Sequence, residues 1–241
     1  MDILILGHNG MLGHMAYKYF NYLGFKVSVT DFRFSSVEFK EFIKSYNGYY
    51  IINCIGAIPQ KTSQFDINYE LPIWLDINSN CKIIHPGTDC ELDNDNYGLS
   101  KMKSSSFIKS HGVRTKIIKA SIIGPELHSK YSLFEWFINN KDNIIKGWKL
   151  AMWNGITTLE WCKHCNNLMQ NWDMYKIENI IESTCLSKYD LLKLIGKIFN
   201  IEKQIEQCNT IILNKCLKGD IKSSNIETQL YELKEYYYEN K

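Results

Sequence analysis

Residues 3–17 read "ILILGHNGMLGHMAY". Four apolar residues run into Gly7, and glycines return at Gly10 and Gly13 just where a helical pattern begins. A strand that ends in such a turn and opens a helix is the context in which spaced glycines bind a dinucleotide. Gly7 permits the sharp turn, Gly10 lets the backbone approach a pyrophosphate, and Gly13 lets the helix lie close on the strand. Asn9, Met11 and Leu12 complete the turn and the first helical residues, whose amides and partial positive charge suit an anion. A tight turn with no ligand is the plainer alternative, and three correctly placed glycines weigh against it. The glycines are spaced G-x-x-G-x-x-G, without the single-residue gap of the common oxidoreductase fingerprint.

Working outward, strand and helix signals alternate. "KVSVT" follows the first helix, then a helix-like "SSVEFKEFIKSY", the run "YYIINCIG", a helix over "INYELPIWLDIN", the strand "KIIHPG", a helix from Tyr97 to His111 and the strand "TKIIKA". Nearly unbroken apolar strands between helices predict a doubly wound parallel sheet, an α/β fold of Rossmann type. Beyond Ser121 the pattern loosens. Helices are expected at "SLFEWFINN" and "TTLEWCKHCNNLM", a strand at "IENIIES", an amphipathic helix capped by Ser187 at "SKYDLLKLIGKIFN", and a fraying terminal helix at "ETQLYELKEYYYENK". Residues 1–120 are expected to form mainly the dinucleotide-binding core and 121–241 mainly a small substrate-binding lobe with returning core elements, the whole a single unit.

The 241 residues carry a formal charge of +2 and 45% apolar content, with the lysines spread along the chain. Neither a nucleic-acid footprint nor a membrane partner is expected. Without a signal-like N-terminal stretch, a cytoplasmic protein with reduced thiols is the expectation for its eight cysteines. The pair Cys162 and Cys165 in "CKHC" has no second pair to complete a zinc site and sits in helical apolar spacing, so no metal is expected.

At the end of the second strand, "TDFRFSS" offers two signals. Asp31 stands where a carboxylate would hydrogen-bond an adenosine ribose, and Arg33 where a guanidinium would grip a 2′-phosphate. Solvated loop charges would look the same for either residue alone. Arg33 places NADP(H) ahead of NAD(H) as the expected cofactor. Asn53, Cys54, Ile55 and Gly56 end the third apolar run with small residues beside which a dinucleotide can lie; a plain strand-to-loop transition would read similarly.

"YGLSK" places Tyr97 and Lys101 four residues apart on one helix face. An ammonium near a phenol favours the phenolate, lowers its pKa and makes Tyr97 an acid or base at neutral pH. Thr88, after the strand ending in "HPG", can supply a hydroxyl to the carbonyl oxygen that Tyr97 would protonate, or can simply cap its turn. Alone each signal is weak; their order along the chain gives them weight.

The set "GHNGMLG", "INCIGAIPQ", "PGTDC", "YGLSK", "KASIIGPEL", "SLFEWF" and "NGITTLE" resembles the extended short-chain dehydrogenase/reductases related to dTDP-4-dehydrorhamnose reductase and to 4-reductases of UDP-2-acetamido-2,6-dideoxy-hexos-4-uloses. That resemblance implies an NAD(P)H-dependent 4-reductase of a nucleotide-linked 4-keto-6-deoxy sugar. Tyr97 would be its proton donor, Lys101 the residue that tunes it and holds the nicotinamide ribose, and Thr88 the group that binds the carbonyl. It also implies substrate contacts from Asp89, Cys90, Ile123, Glu126, Trp136 and Trp153, and allows a homodimer. Two departures stand out: the loop between Thr88 and Tyr97 is short, and so is the C-terminal end. Nucleotide-sugar 4,6-dehydratases look like T-D-E where this chain has Thr88, Asp89 and Cys90, and a thiol is poorly suited to the glutamate's role. The alternatives are a non-catalytic dinucleotide-binding subunit, such as the similar regulatory subunit of methionine adenosyltransferase, and a nucleotide-sugar epimerase.

Overall fold

Ile3, Leu4, Ile5 and Leu6 are fully buried because the strand they form is covered on both faces and paired on both edges. The computed structural model describes residues 1–239, and the last two residues of the expected terminal helix lie outside them. The elements begin with β1 (Asp2–Leu6), α1 (Met11–Tyr22), β2 (Lys26–Thr30), α2 (Val37–Ser45), β3 (Tyr50–Asn53) and α3 (Ile67–Asn78). After these come β4 (Lys82–Gly87), α4 (Asn96–His111) and β5 (Thr115–Lys119). Then follow β6 (Ile122–Ile123), α5 (Leu133–Asn139), β7 (Ile144–Trp148), β8 (Ala151–Trp153), β9 (Ile156–Thr157), α6 (Thr158–Gln170) and β10 (Glu178–Glu182). The chain continues through β11 (Leu186–Ser187), α7 (Lys188–Phe199), β12 (Gln204–Cys208), β13 (Leu213–Lys215), β14 (Ile221–Lys222) and α8 (Ile226–Lys234).

The chain divides into two compact units, Met1–Lys119 with Cys162–Asn179, and Ala120–Trp161 with Ile180–Lys241. In the first unit the parallel strands run in the order β5-β4-β3-β1-β2, with the start of β10 beside β5, where the Ile117 amide donates to the Ile177 carbonyl. The rest of β10 belongs to the second unit and pairs in parallel with β14, Ile181 opposite Ile221, so the sheet has seven strands. Side-chain alternation puts Leu4 and Leu6 on one face against Phe39 and Ile43 of α2 and Leu71 and Leu75 of α3. On the other face the Tyr50 hydroxyl donates to the Met169 carbonyl of α6 at 2.8 Å. Register aligns Leu6 with Thr30 and with Asn53, and Gly87 with Lys119, so the loops holding the predicted site residues leave one carboxyl edge of the sheet. Ligands of open α/β sheets bind at that edge.

The second unit holds a three-stranded sheet ordered β11-β8-β13 and the pairs β12–β7 and β6–β9. Ser187 caps α7 as predicted, its hydroxyl accepting from the Asp190 amide at 3.0 Å, and Leu191, Leu192, Ile195 and Ile198 are buried. Past α8 the helix continues to Glu239, and Tyr238 packs edge-on against Phe199 with centroids 5.6 Å apart.

The cysteines depart from expectation. Cys185 and Cys216 form a disulfide, with Cα atoms 5.9 Å apart across a sequence separation of 31, where reduced thiols were predicted. No local spacing could signal this pair, because the fold makes it: Cys185 directly precedes β11 and Cys216 directly follows β13, both at the Trp153 end of β8. Cys162 and Cys165 are buried core residues of α6, and burial pushes both thiols well above their ordinary range. Among the described residues no cluster of His, Cys, Asp or Glu could hold a metal ion, and no helix is long and apolar enough to cross a membrane.

Candidate active site

Thr88 leaves β4 and starts a 3-10 turn, Asp89–Leu92, that leads to α4. Its hydroxyl accepts from the Cys90 amide at 3.3 Å and donates to Asp89 Oδ1 at 3.0 Å, so the capping role that the sequence allowed is real. The same hydroxyl neighbours the Tyr97 phenol and favours its ionised form, bringing two of the three predicted catalytic side chains together. Gly98 makes that approach feasible. A Cβ there would stand 2.2 Å from the Cys90 carbonyl oxygen, so only glycine lets the first turn of α4 close on the Thr88 segment.

Lys101 lies one turn further along α4 and is buried. Its ammonium donates to the Pro86 carbonyl at 2.8 Å and lies 3.3 Å from His85 Nε2. Burial lowers its pKa to about 8, partly offset by the Glu91 carboxylate. For Tyr97 the structure corrects the sequence reading. The phenol's pKa is raised, first by burial and then by Cys90 and Asp89, while the neighbouring Thr88 hydroxyl only partly opposes this. Counting residues along a helix predicts a shared face; it does not capture how dry that face is, nor that the lysine is engaged beneath it.

Three supporting residues were missed. Glu91 accepts from the Thr88 amide at 3.1 Å and pairs at 2.8 Å with Lys119, which also pairs with Glu178 at 2.6 Å. Burial alone would lower the Lys119 pKa, but its bonds to Glu178 and Glu91 win and raise it. Asn68 accepts from the Ala57 amide at 2.7 Å and donates to the Ser100 hydroxyl at 3.1 Å, tying the loop after β3 to α4. His85, read in the sequence only as part of a strand, is buried between Asn53 and Lys101. A polar residue within a mostly apolar strand was the signal for His85, and the capping-box spacing from Thr88 to Glu91 was the signal for Glu91; nothing local marked Asn68.

On the predicted cofactor side, Gly7 has φ +76, and a Cβ on Gly13 would lie 2.0 Å from the Gly7 carbonyl oxygen. Gly10 is the N-cap of α1 and supplies no capping side chain, so the amides of Met11 and Leu12 stay open to a ligand next to Asn9. Asp31 is highly exposed and lies 3.7 Å from His8 Nε2; Arg33 is exposed two residues on. Asn53 is buried, Ile55 half-buried and Gly56 exposed, and burial pushes the Cys54 thiol up to about 12. An uncapped helix start, a left-handed glycine and flanking hydrogen-bonding side chains fit a dinucleotide's pyrophosphate and ribose.

The remaining predicted contacts belong to the second unit. Ile123 and Trp153 are buried there, and the Trp153 indole donates to the Ser121 hydroxyl at 2.8 Å. Glu126 accepts from the amides of Tyr131 and Ser132 at 2.7 and 2.8 Å and so organises its own loop. Trp136 is partly exposed on α5.

No family model matches the chain, and no curated protein sequence matches it. Solved structures do. A dTDP-4-dehydrorhamnose reductase from Clostridium acetobutylicum superposes with a TM-score of 0.71 at 17% identity, over 97% of this chain and 98% of the other. The corresponding reductase from Bacillus anthracis, in complex with NADP, gives 0.76 at 13% over 96% and 98%. A dTDP-glucose 4,6-dehydratase from the same organism, in complex with NAD, gives 0.76 at 14% over 100% and 97%. These likenesses define the class of fold: the Rossmann-type α/β fold of those reductase and dehydratase structures, as the glycine turn and the alternating strands predicted.

Proposed function

We propose that this protein is an NAD(P)H-dependent oxidoreductase that reduces the 4-keto group of a nucleotide-linked 6-deoxy sugar. The observation that carries the reading is the placing of Thr88, just after β4, beside Tyr97 on the first turn of α4, at the carboxyl edge of the sheet that also bears the glycine turn. Two hydroxyls converging on one point can bind a carbonyl oxygen and protonate it. The raised pKa of Tyr97 keeps it protonated, as an acid requires.

Gly7, Gly10, Met11, Leu12 and Gly13 would hold the dinucleotide's pyrophosphate, and Asp31 or Arg33 its adenosine ribose. When bound, the reduced nicotinamide supplies a hydride to the carbonyl carbon. Thr88 positions the oxygen, Tyr97 gives it a proton, and Glu91 with Lys119 holds the Thr88 backbone in place. Arg33 favours NADPH. Asp89 and Cys90 beside Thr88 are proposed substrate contacts, as are Ile123, Glu126, Trp136 and Trp153, of which Trp136 offers the most open ring.

Dehydration is disfavoured by the same residues. Cys90 offers a thiol where an acid is needed, and the neighbouring Glu91 carboxylate is bound to Lys119 and to the Thr88 amide. The test is loss of reduced-nicotinamide absorbance with NADPH and a panel of dTDP- and UDP-linked 4-keto-6-deoxy sugars. Turnover of at least one supports the reductase; dinucleotide binding with no turnover of any would instead favour a binding module.

A further inference from the structure

His85 is the one buried histidine of β4, and it joins two residues given separate roles above. Asn53 fixes one side of the ring. The Ile55 amide donates to Asn53 Oδ1 at 3.2 Å, which turns the NH₂ end of that side chain toward His85 Nδ1 at 3.3 Å. An NH₂ group can only donate, so Nδ1 accepts. Burial, reinforced by Lys101, holds the imidazole far below its ordinary pKa and therefore neutral, which places its single proton on Nε2. That N–H points at Lys101 Nζ, 3.3 Å away. An ammonium carries donors alone and has no acceptor for this N–H, whereas a neutral amine accepts it through its lone pair and still donates to the Pro86 carbonyl at 2.8 Å.

We propose that Asn53 and His85 set the protonation of Lys101, by presenting an N–H that the amine accepts and the ammonium cannot, so that Lys101 exchanges a proton instead of holding a permanent charge. Burial acts in the same direction. The charged groups acting on the pair are Glu91 of the 3-10 turn, on Lys101, and Lys101 itself, on His85; Asp89 and Cys90 of that turn act on Tyr97, one helical turn before Lys101, and Lys119 of β5 pairs with Glu91. Glu91 is the group that opposes the effect by favouring the ammonium, and Lys119, bound to it at 2.8 Å, blunts that opposition. His85 is a positioning residue here, acting through Lys101. The catalytic consequence rests on the reductase reading: a lysine poised to give a proton can restore the one Tyr97 loses at each turnover.

Two measurements test this without substrate or cofactor. Nitrogen-15 spectra of the histidines in the wild-type protein should show His85 as the Nε2–H tautomer, the signal being the one missing in His85→Gln. Protein labelled with carbon-13 at lysine Cε should show the Lys101 resonance, identified by its loss in Lys101→Met, titrating near 8. In His85→Gln the side-chain oxygen can turn to the ammonium, and the Lys101 midpoint should rise by about one pH unit or more. An Nδ1–H tautomer in the wild type overturns the proposal, and so does an unmoved Lys101 midpoint in folded His85→Gln. Because neither readout needs turnover, a protein that passes both yet reduces no keto sugar would fail the functional reading alone.

Discussion

At Tyr97 the hydroxyl proton is held against its ordinary tendency to leave, since burial and the neighbouring Cys90 and Asp89 all oppose a phenolate. Tyr97→Phe keeps the ring and its edge-on contact with Phe65. It should lower kcat by about 10²–10⁴, the usual worth of a positioned acid, while dinucleotide affinity measured by calorimetry stays near wild type. Lys101 leaves a signature in stability. Its folded pKa of about 8 lies below the ordinary lysine value of 10.5, so between those limits the unfolded chain binds the extra proton. Stability therefore rises with pH across that window, and is lowered by the same linkage at more acidic pH. Urea midpoints measured through the window should climb in the wild type and stay flatter in Lys101→Met. Arg33 is exposed and free to meet a phosphate, so Arg33→Ala should weaken NADPH about tenfold and leave NADH almost unchanged, the loss of one charge-assisted contact. Equal loss for both cofactors would remove Arg33 from that role.

Among elements, β1 with α1 gives Gly10 and Gly13 different surroundings. A Cβ on Gly10 would meet only the Gly7 carbonyl oxygen at 3.3 Å, but one on Gly13 would meet it at 2.0 Å. Gly10→Val should fold and lose binding of both dinucleotides, whereas Gly13→Val should cost about 3 kcal/mol of stability, read from chemical denaturation. Elements whose pattern filled several residues or turns were legible in the sequence: β1, β3, β4 and β5 as nearly unbroken apolar runs, α7 through its Ser187 cap and buried leucines. Two-residue strands such as β6, β9, β11 and β14 were not, because two positions contain no period to read. The site divides in the same way. Thr88, Tyr97 and Lys101 were legible from order along the chain, while Asn68, His85 and the Lys119 that holds Glu91 act through partners far away in sequence, and the direction of the Tyr97 shift depends on burial that spacing does not report.

In the molecule as a whole, one covalent link joins strands that the backbone alone would leave to weak pairing. β11 meets β8 through two residues and β13 meets it through three, and the bond from Cys185 to Cys216 closes both at the same end. With a sequence separation of 31 between its ends, the chain-entropy view assigns the link about 3–4 kcal/mol. Cys216→Ser should lower the melting temperature, and reductant should do the same to the wild type while leaving the variant unmoved. The link also makes the heated chain a lariat: the segments of α7, β12 and β13 lie within a closed ring that cannot swell like an open coil. After full reduction that ring must be found again among eight competing thiols, three of them, Cys81, Cys162 and Cys165, destined for the interior. Recovery from the reduced, unfolded chain is thus a search problem, in which early collapse of the buried thiols sets how often Cys185 meets its mate.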